Sequence, residues 1–179
     1  RGRVFSLTVP PSAHAVTYRN NVASTAIVAA TPAGRPGPAT SLDFAKVHVA
    51  IYDAVQAIVR THRPYHVEIP GASGSPAAAA AKAARDVLVN LFQNQMMTID
   101  AAYNDFFTAN NLDPNDPGVA VGQQAAAGII NLRSGDGSFP PNFPPFTGGL
   151  GPGEWRPTPS YLPGPPPSGA PMAIPWMGA

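Results

Sequence analysis

A chain of 179 residues with 11 Lys+Arg, 10 Asp+Glu, four His, no Cys, 17 Gly and 23 Pro is close to neutral and only 12% charged. Such a balance excludes the basic stripe that nucleic acid or an anionic membrane surface requires, and the lack of thiols excludes disulfides, Cys-ligated zinc, iron–sulfur clusters and cysteine nucleophiles. The longest apolar runs, such as 23–30 and 77–81, fall far short of the roughly 20 residues that cross a bilayer, so no transmembrane segment is expected.

Pro and Gly are unevenly spread: residues 139–179 hold 13 Pro and 7 Gly, whereas residues 1–138 hold 10 of each. The division predicts a helical body over 1–138 and an extended Pro/Gly/aromatic-rich segment over 139–179. Arg1 in place of Met leads us to expect a cleaved or truncated start, and residues 1–30 contain no continuous apolar stretch with a cleavage site that would mark a signal peptide. The compartment is left open, with a secreted or periplasmic setting favoured.

Along the body, Val16, Ala23, Ile27 and Ala30 recur near helical spacing and predict a first helix over 12–30. Three Pro and two Gly over 31–38 make a turn or linker. Ser41 is placed to cap a second helix in which Leu42, Ala45, Val49, Tyr52 and Val59 form one stripe. Val47, Ile51, Ala54 and Ile58 form the neighbouring one. So wide an apolar arc predicts a central, largely buried helix over 42–59. Pro76 is tolerated as the first residue of an Ala-rich third helix through Phe92, with Lys82, Arg85 and Asp86 on its wet side. Thr98 is a candidate cap for a fourth helix through Phe107, with Ile99, Ala102, Tyr103 and Phe106 on one face. Asp116 and Pro117 start a fifth over 118–133, whose Gly122 and Gly128 suggest close helix packing and which Gly135 can stop. No segment alternates apolar and polar residues over strand length. The fold class expected is all-α: a bundle of about five helices followed by an extended Pro-rich strap.

The strap carries Phe139, Phe143, Phe146, Leu150, Trp155, Tyr161, Leu162, Met172, Ile174 and Trp176 at intervals. These anchors suit a polyproline-like segment lying on a protein surface. Trp155-Arg156-Pro157 is placed to pin it to the body by stacking guanidinium on indole.

The run 47–65, VHVAIYDAVQAIVRTHRPY, resembles the central-helix signature of the vanadium-dependent haloperoxidase and type-2 phosphatidic acid phosphatase superfamily, bacterial haloperoxidase-like members in particular. His48, Tyr52-Asp53, Pro64-Tyr65, Gly135-Asp136-Gly137 and Trp155-Arg156-Pro157 carry the resemblance, with the Ala-rich run 77–92 between them. It covers nearly all of this chain but only the N-terminal half of such an enzyme. The family's catalytic set lies downstream: a Lys followed by Arg-Pro, then Pro-Ser-Gly-His, then an Arg and a His, which together hold vanadate or phosphate. Here only Lys46 and Lys82 exist, and neither precedes Arg63-Pro64 or Arg156-Pro157 suitably. Pro167-Ser168-Gly169-Ala170 has Ala where the histidine should stand, within a proline run. The resemblance therefore implies a non-catalytic scaffold for a catalytic half outside this chain, with no catalytic, cofactor-binding or metal-ligating residue here and vanadate confined to that half. The intact enzyme would oxidise halide with peroxide or hydrolyse phosphoesters. Its implied partner is the catalytic half, in the same protein or another chain. The alternative is a non-enzymatic assembly module that homo-oligomerises through its helical body and strap.

Other constellations read as structural. His62 and His66 stand four apart with Glu68 nearby, but Pro64 between them argues against a shared helical face. His48, on the apolar second helix, reads as a histidine satisfied by backbone or side-chain partners. Asp53 needs a capped helix end or an Arg, and Arg60, Arg63 or Arg133 is available for a bracing ion pair. The Gly135-Asp136-Gly137-Ser138 segment holds too few carboxylates for calcium and reads as a turn.

Overall fold

The computed structural model describes residues 14–30, 37–136 and 152. The strap expected over 139–179, the Trp155-Arg156-Pro157 pin, the linker at 31–36 and the Pro167-Ser168-Gly169-Ala170 segment lie outside the described residues, Pro152 excepted. Contacts along the chain separate residues 1–135 from 136–179, and the helices among the described residues belong to the first unit. They are α1 (Ala15–Ala30), α2 (Gly37–Val59), α3 (Pro76–Leu91), α4 (Met96–Ala109), preceded by a 3-10 turn at Gln93–Gln95, and α5 (Pro117–Arg133). No strand occurs among the described residues, so the helical fold class holds.

The packing centre is α3, which contacts all four other helices. Ala78, Ala79, Ala80, Ala81, Ala83 and Ala84 are buried around most of its circumference, and Val87 and Leu88 continue the core. A methyl-only surface lets neighbouring backbones approach closely, and this dictates which helix sits in the middle. The second helix was expected there on the strength of its wide apolar arc. The structure buries most of α2 as expected, with Val47, Ala50, Ile51, Ala54 and Ala57 in the core and Phe44, Val49, Val55 and Ile58 packed against it, but leaves Tyr52 40% and Val59 45% exposed and gives the centre to α3. Weighting Leu and Val above Ala misplaces the centre, because close packing rewards small side chains as strongly as large ones.

Two helix starts differ from expectation. Residue 37 already begins α2, so Ser41 sits inside the helix; proline at position 38 costs nothing in a first turn whose amides have no helical acceptor. Thr98 likewise lies within α4, because the 3-10 turn after Phe92 carries the chain directly into the helix at Met96. Two other starts are as expected. Ser75 accepts the Ala78 amide at the head of α3, with Pro76 in its first turn. Asp116 accepts the Gly118 amide at the head of α5. Its Oδ1 also takes the Ser75 amide at 2.7 Å, so one carboxylate ties two helix starts together. Asp116→Ala is expected to cost about 2 kcal/mol, the upper range of a single cap, because two amides lose their acceptor. Denaturant melts that leave the midpoint unmoved would contradict this.

Candidate functional site

Tyr52 and Asp53 of α2 meet the loop segment that holds Pro64 and Tyr65. Asp53, fully buried on the penultimate turn of α2, accepts three successive amides. The Tyr65 N–H donates to Oδ1; those of His66 and Val67 donate to Oδ2 at 3.0 and 2.9 Å. From the adjacent position on the helix, the Tyr52 hydroxyl donates to the Arg63 carbonyl at 2.9 Å. Gln56 adds a third clasp, its Oε1 accepting from the His62 amide and the Thr61 hydroxyl. Three side chains on one helical face thus replace the backbone partners that a Pro-containing loop cannot find for itself. Arg60 makes the reversal of direction, entering the left-handed region at φ 58°. Its guanidinium donates to the Ala57 and Ala72 carbonyls and holds the strained turn.

This geometry corrects the expected ion pair. Asp53 is satisfied by main-chain N–H groups, not by Arg60, Arg63 or Arg133. The physical reason is proximity, since the loop backbone folds directly onto the carboxylate. Val67, the last of the three residues in the clasp, lies over Gly128 of α5, so Gly128 serves the loop and not a helix–helix contact.

The histidines occupy separate places. His48 is half-buried, its Nε2 paired with Asn20 Oδ1 of α1 at 2.9 Å and its ring stacked on Phe44. Burial pushes its pKa below the ordinary histidine value. His62 and His66 are exposed, and their amides are anchored by different side chains. Ser134 and Gly135 form a turn after α5. Gly137 and Ser138 lie outside the described residues.

A second polar region, which sequence reasoning did not single out as a site, joins α1, α3 and α4. Arg85 of α3 donates Nε to Asp100 at 2.6 Å and Nη1 to Asp86 at 2.9 Å. Lys82 also bonds Asp86. The hydrogen bond to Asp100, reinforced by Asp86, holds the Arg85 guanidinium above its usual pKa. Lys82, Arg85 and Asp100 line a surface hollow with Tyr103 and Asn104. Behind the Tyr103 ring lies Arg19, which is fully buried, and its Nε, Nη1 and Nη2 make no hydrogen bond among the described residues. Three rings surround it: the guanidinium carbon stands 4.6 Å from the Phe106 centroid, 5.1 Å from Tyr18 and 5.7 Å from Tyr103. Tyr18 and Phe106 stack on each other, and Tyr103 leans on Phe107. Burial lowers the Arg19 pKa to about 10, opposed by the neighbouring tyrosines; it still carries its charge near neutrality.

Among the described residues no three His, Asp or Glu side chains gather as a metal site would require. The His48 and His62 rings are engaged by Asn20 and Thr61, and the hollow that gathers Lys82 and Arg85 contains no histidine to coordinate the metal. Comparison with protein-family models, curated proteins and solved structures finds no match to this chain.

Proposed function

We propose that this chain is the helical scaffold of a larger haloperoxidase-like or acid-phosphatase-like enzyme, non-catalytic by itself and built to carry a catalytic half. The observation that carries the reading is the outer stripe of α2. Ala45, Tyr52 and Val59 are exposed and Leu42 is half-buried, while Val49 and Val55 are half-buried with one side against the core, so the outer edge of the apolar arc is left open among the described residues. Apolar stripes at helical spacing are ordinarily paid for by a partner surface. The use made of Tyr52, Asp53, Pro64 and Tyr65 supports the same role: these residues build a rigid loop, and no nucleophile or acid–base pair stands among them.

The test is the intact mass of the native protein, with terminal peptides mapped and orthovanadate-dependent bromination assayed. A mass about twice 18.5 kDa, on the footing that a catalytic half is a second domain of similar size, together with activity that Val49→Glu reduces, supports the scaffold role. A native protein of 18.5 kDa with no vanadate-dependent activity in any complex it forms overturns it.

A second reading, self-assembly, draws on a different surface. Gln95 donates to the Ala26 carbonyl, which places Met96 and the 84%-exposed Met97 at the same end of the bundle as Val28, itself 67% exposed. Sedimentation equilibrium of the chain and of Met97→Glu separates the readings, since only self-assembly predicts a dimer that this change dissolves.

A further inference from the structure

The hollow beside α3 and α4 has a volume of about 230 Å3 and is walled by Lys82, Arg85, Asp100, Tyr103 and Asn104. At about 30 Å3 per water in the liquid, it has room for a tetrahedral oxyanion with part of its hydration. Its rim charges cancel, Lys82 and Arg85 against Asp86 and Asp100. What does not cancel is Arg19. Its guanidinium is fully buried, has no hydrogen-bond acceptor among the described residues, and is separated from the hollow by the ring of Tyr103. Aromatic faces stabilise a cation from above and below, but they leave its N–H edge without an acceptor and supply no countercharge. A buried charge of this kind is costly unless something negative stands near it. Three of the residues that line the hollow carry donors, Lys82, Tyr103 and the exposed Asn104, and Tyr103 is the one in contact with Arg19. Burial keeps the Tyr103 hydroxyl protonated, and so able to donate, well past neutrality.

We propose that this hollow binds a small oxyanion of the phosphate class, held by Lys82, Tyr103 and Asn104, with Arg19 behind the tyrosine ring as its buried countercharge. A tetrahedral oxyanion offers several acceptors to donors converging from different directions, which a flat carboxylate does less well. The single acidic wall residue, Asp100, is paired with Arg85, whose Nε donates to its Oδ1. Binding is reversible and involves no covalent step, and the site lies within the helical body, so it stands or falls separately from the scaffold role.

Isothermal titration of the chain with inorganic phosphate, in a chloride buffer of low ionic strength, tests the site. One phosphate per chain is expected, weakened about tenfold by Arg19→Met and several-fold by Lys82→Gln, with Arg19→Lys between wild type and Met. Arg19→Met should melt no lower than wild type, because it removes a buried cation that lacks an acceptor. If that variant does not fold, Lys82→Gln and Asn104→Leu, both at the accessible rim, decide the matter by the same loss. Absence of saturable phosphate binding by the wild-type chain overturns the proposal, as does equal binding by wild type and the rim variants. Acetate binding as tight as phosphate would overturn the phosphate class.

Discussion

Replacing Asp53 by Ala should lower stability by about 3 to 5 kcal/mol and free the 60–74 loop while leaving the helices paired. The carboxylate is fully buried and is the acceptor for the amides of Tyr65, His66 and Val67. Hydrogen bonds to a charged acceptor contribute more than neutral ones, and each buried donor left without a partner carries its own desolvation cost of about 1 to 3 kcal/mol. Water entering the gap offsets part of that sum, so the total falls below three full penalties. Asp53→Asn is a sharper comparison, because it keeps the shape of the side chain. One of its two terminal atoms becomes a donor facing donors, so it should recover less than half of the loss. Hydrogen exchange gives the residue-level readout: the amides of 65–67 should exchange faster by orders of magnitude in Asp53→Ala, and those of α3 should change only in step with global stability. Equal protection of 65–67 in wild type and variant would show that the clasp does not hold the loop.

The clasp was half legible in the sequence. That Asp53 is buried follows from its place on an apolar helix, and that it needs partners follows from its charge. Which partners it takes depends on where the loop backbone passes, and spacing alone does not reveal this. Helix starts show the same division. The starts at Asp116-Pro117 and at Pro76 were readable because a proline is tolerated in a first turn, where its missing amide would have no helical acceptor, and at Asp116 a capping side chain stands beside it; the Ser75 cap was not singled out. The starts of α2 and α4 were not: Ser41 and Thr98 have the chemistry of caps, but neither helix needed one at that place.

Arg19 was missed for a different reason. The first helix was phased on Val16, Ala23, Ile27 and Ala30, whereas the face actually buried is Ala15, Tyr18, Arg19, Ala23, Ala26 and Ile27. Those positions follow the three–four spacing of a helix face, and Arg19 stands within it. Read with the arginine allowed inside, the pattern would have exposed a buried cation and sent attention to the aromatic residues of α4. A charged residue is usually assigned to the wet side because burial is costly. That cost is what makes Arg19 informative once it is found inside.

The second large effect is expected at Gly122, where α5 crosses α3. A Cβ placed there would run into the carbonyl oxygen of Ala79 and would lie 3.0 Å from the Ala83 amide and 2.9 Å from the Lys82 Cβ. Two of these three are backbone atoms of the central helix, so no rotamer change relieves the clash; the helices themselves must separate. In an ordinary exposed helix Gly→Ala gains up to about 1 kcal/mol from propensity. Gly122→Ala should reverse that sign and destabilise by about 1 to 3 kcal/mol through overpacking. Gly122→Val, with two more methyl groups pressing on the same backbone, should exceed it and leave the α3–α5 pair loosened at ordinary temperature. Gly135→Ala is the matched control, because a Cβ there meets nothing within 4 Å and its φ is not in the left-handed region. Thermal melts of the three variants therefore carry the test: Gly135→Ala near wild type, Gly122→Ala clearly lower, Gly122→Val lowest. A Gly122→Ala protein as stable as wild type would mean that α3 and α5 have room to part, and that the alanine surface of α3 does not set their separation.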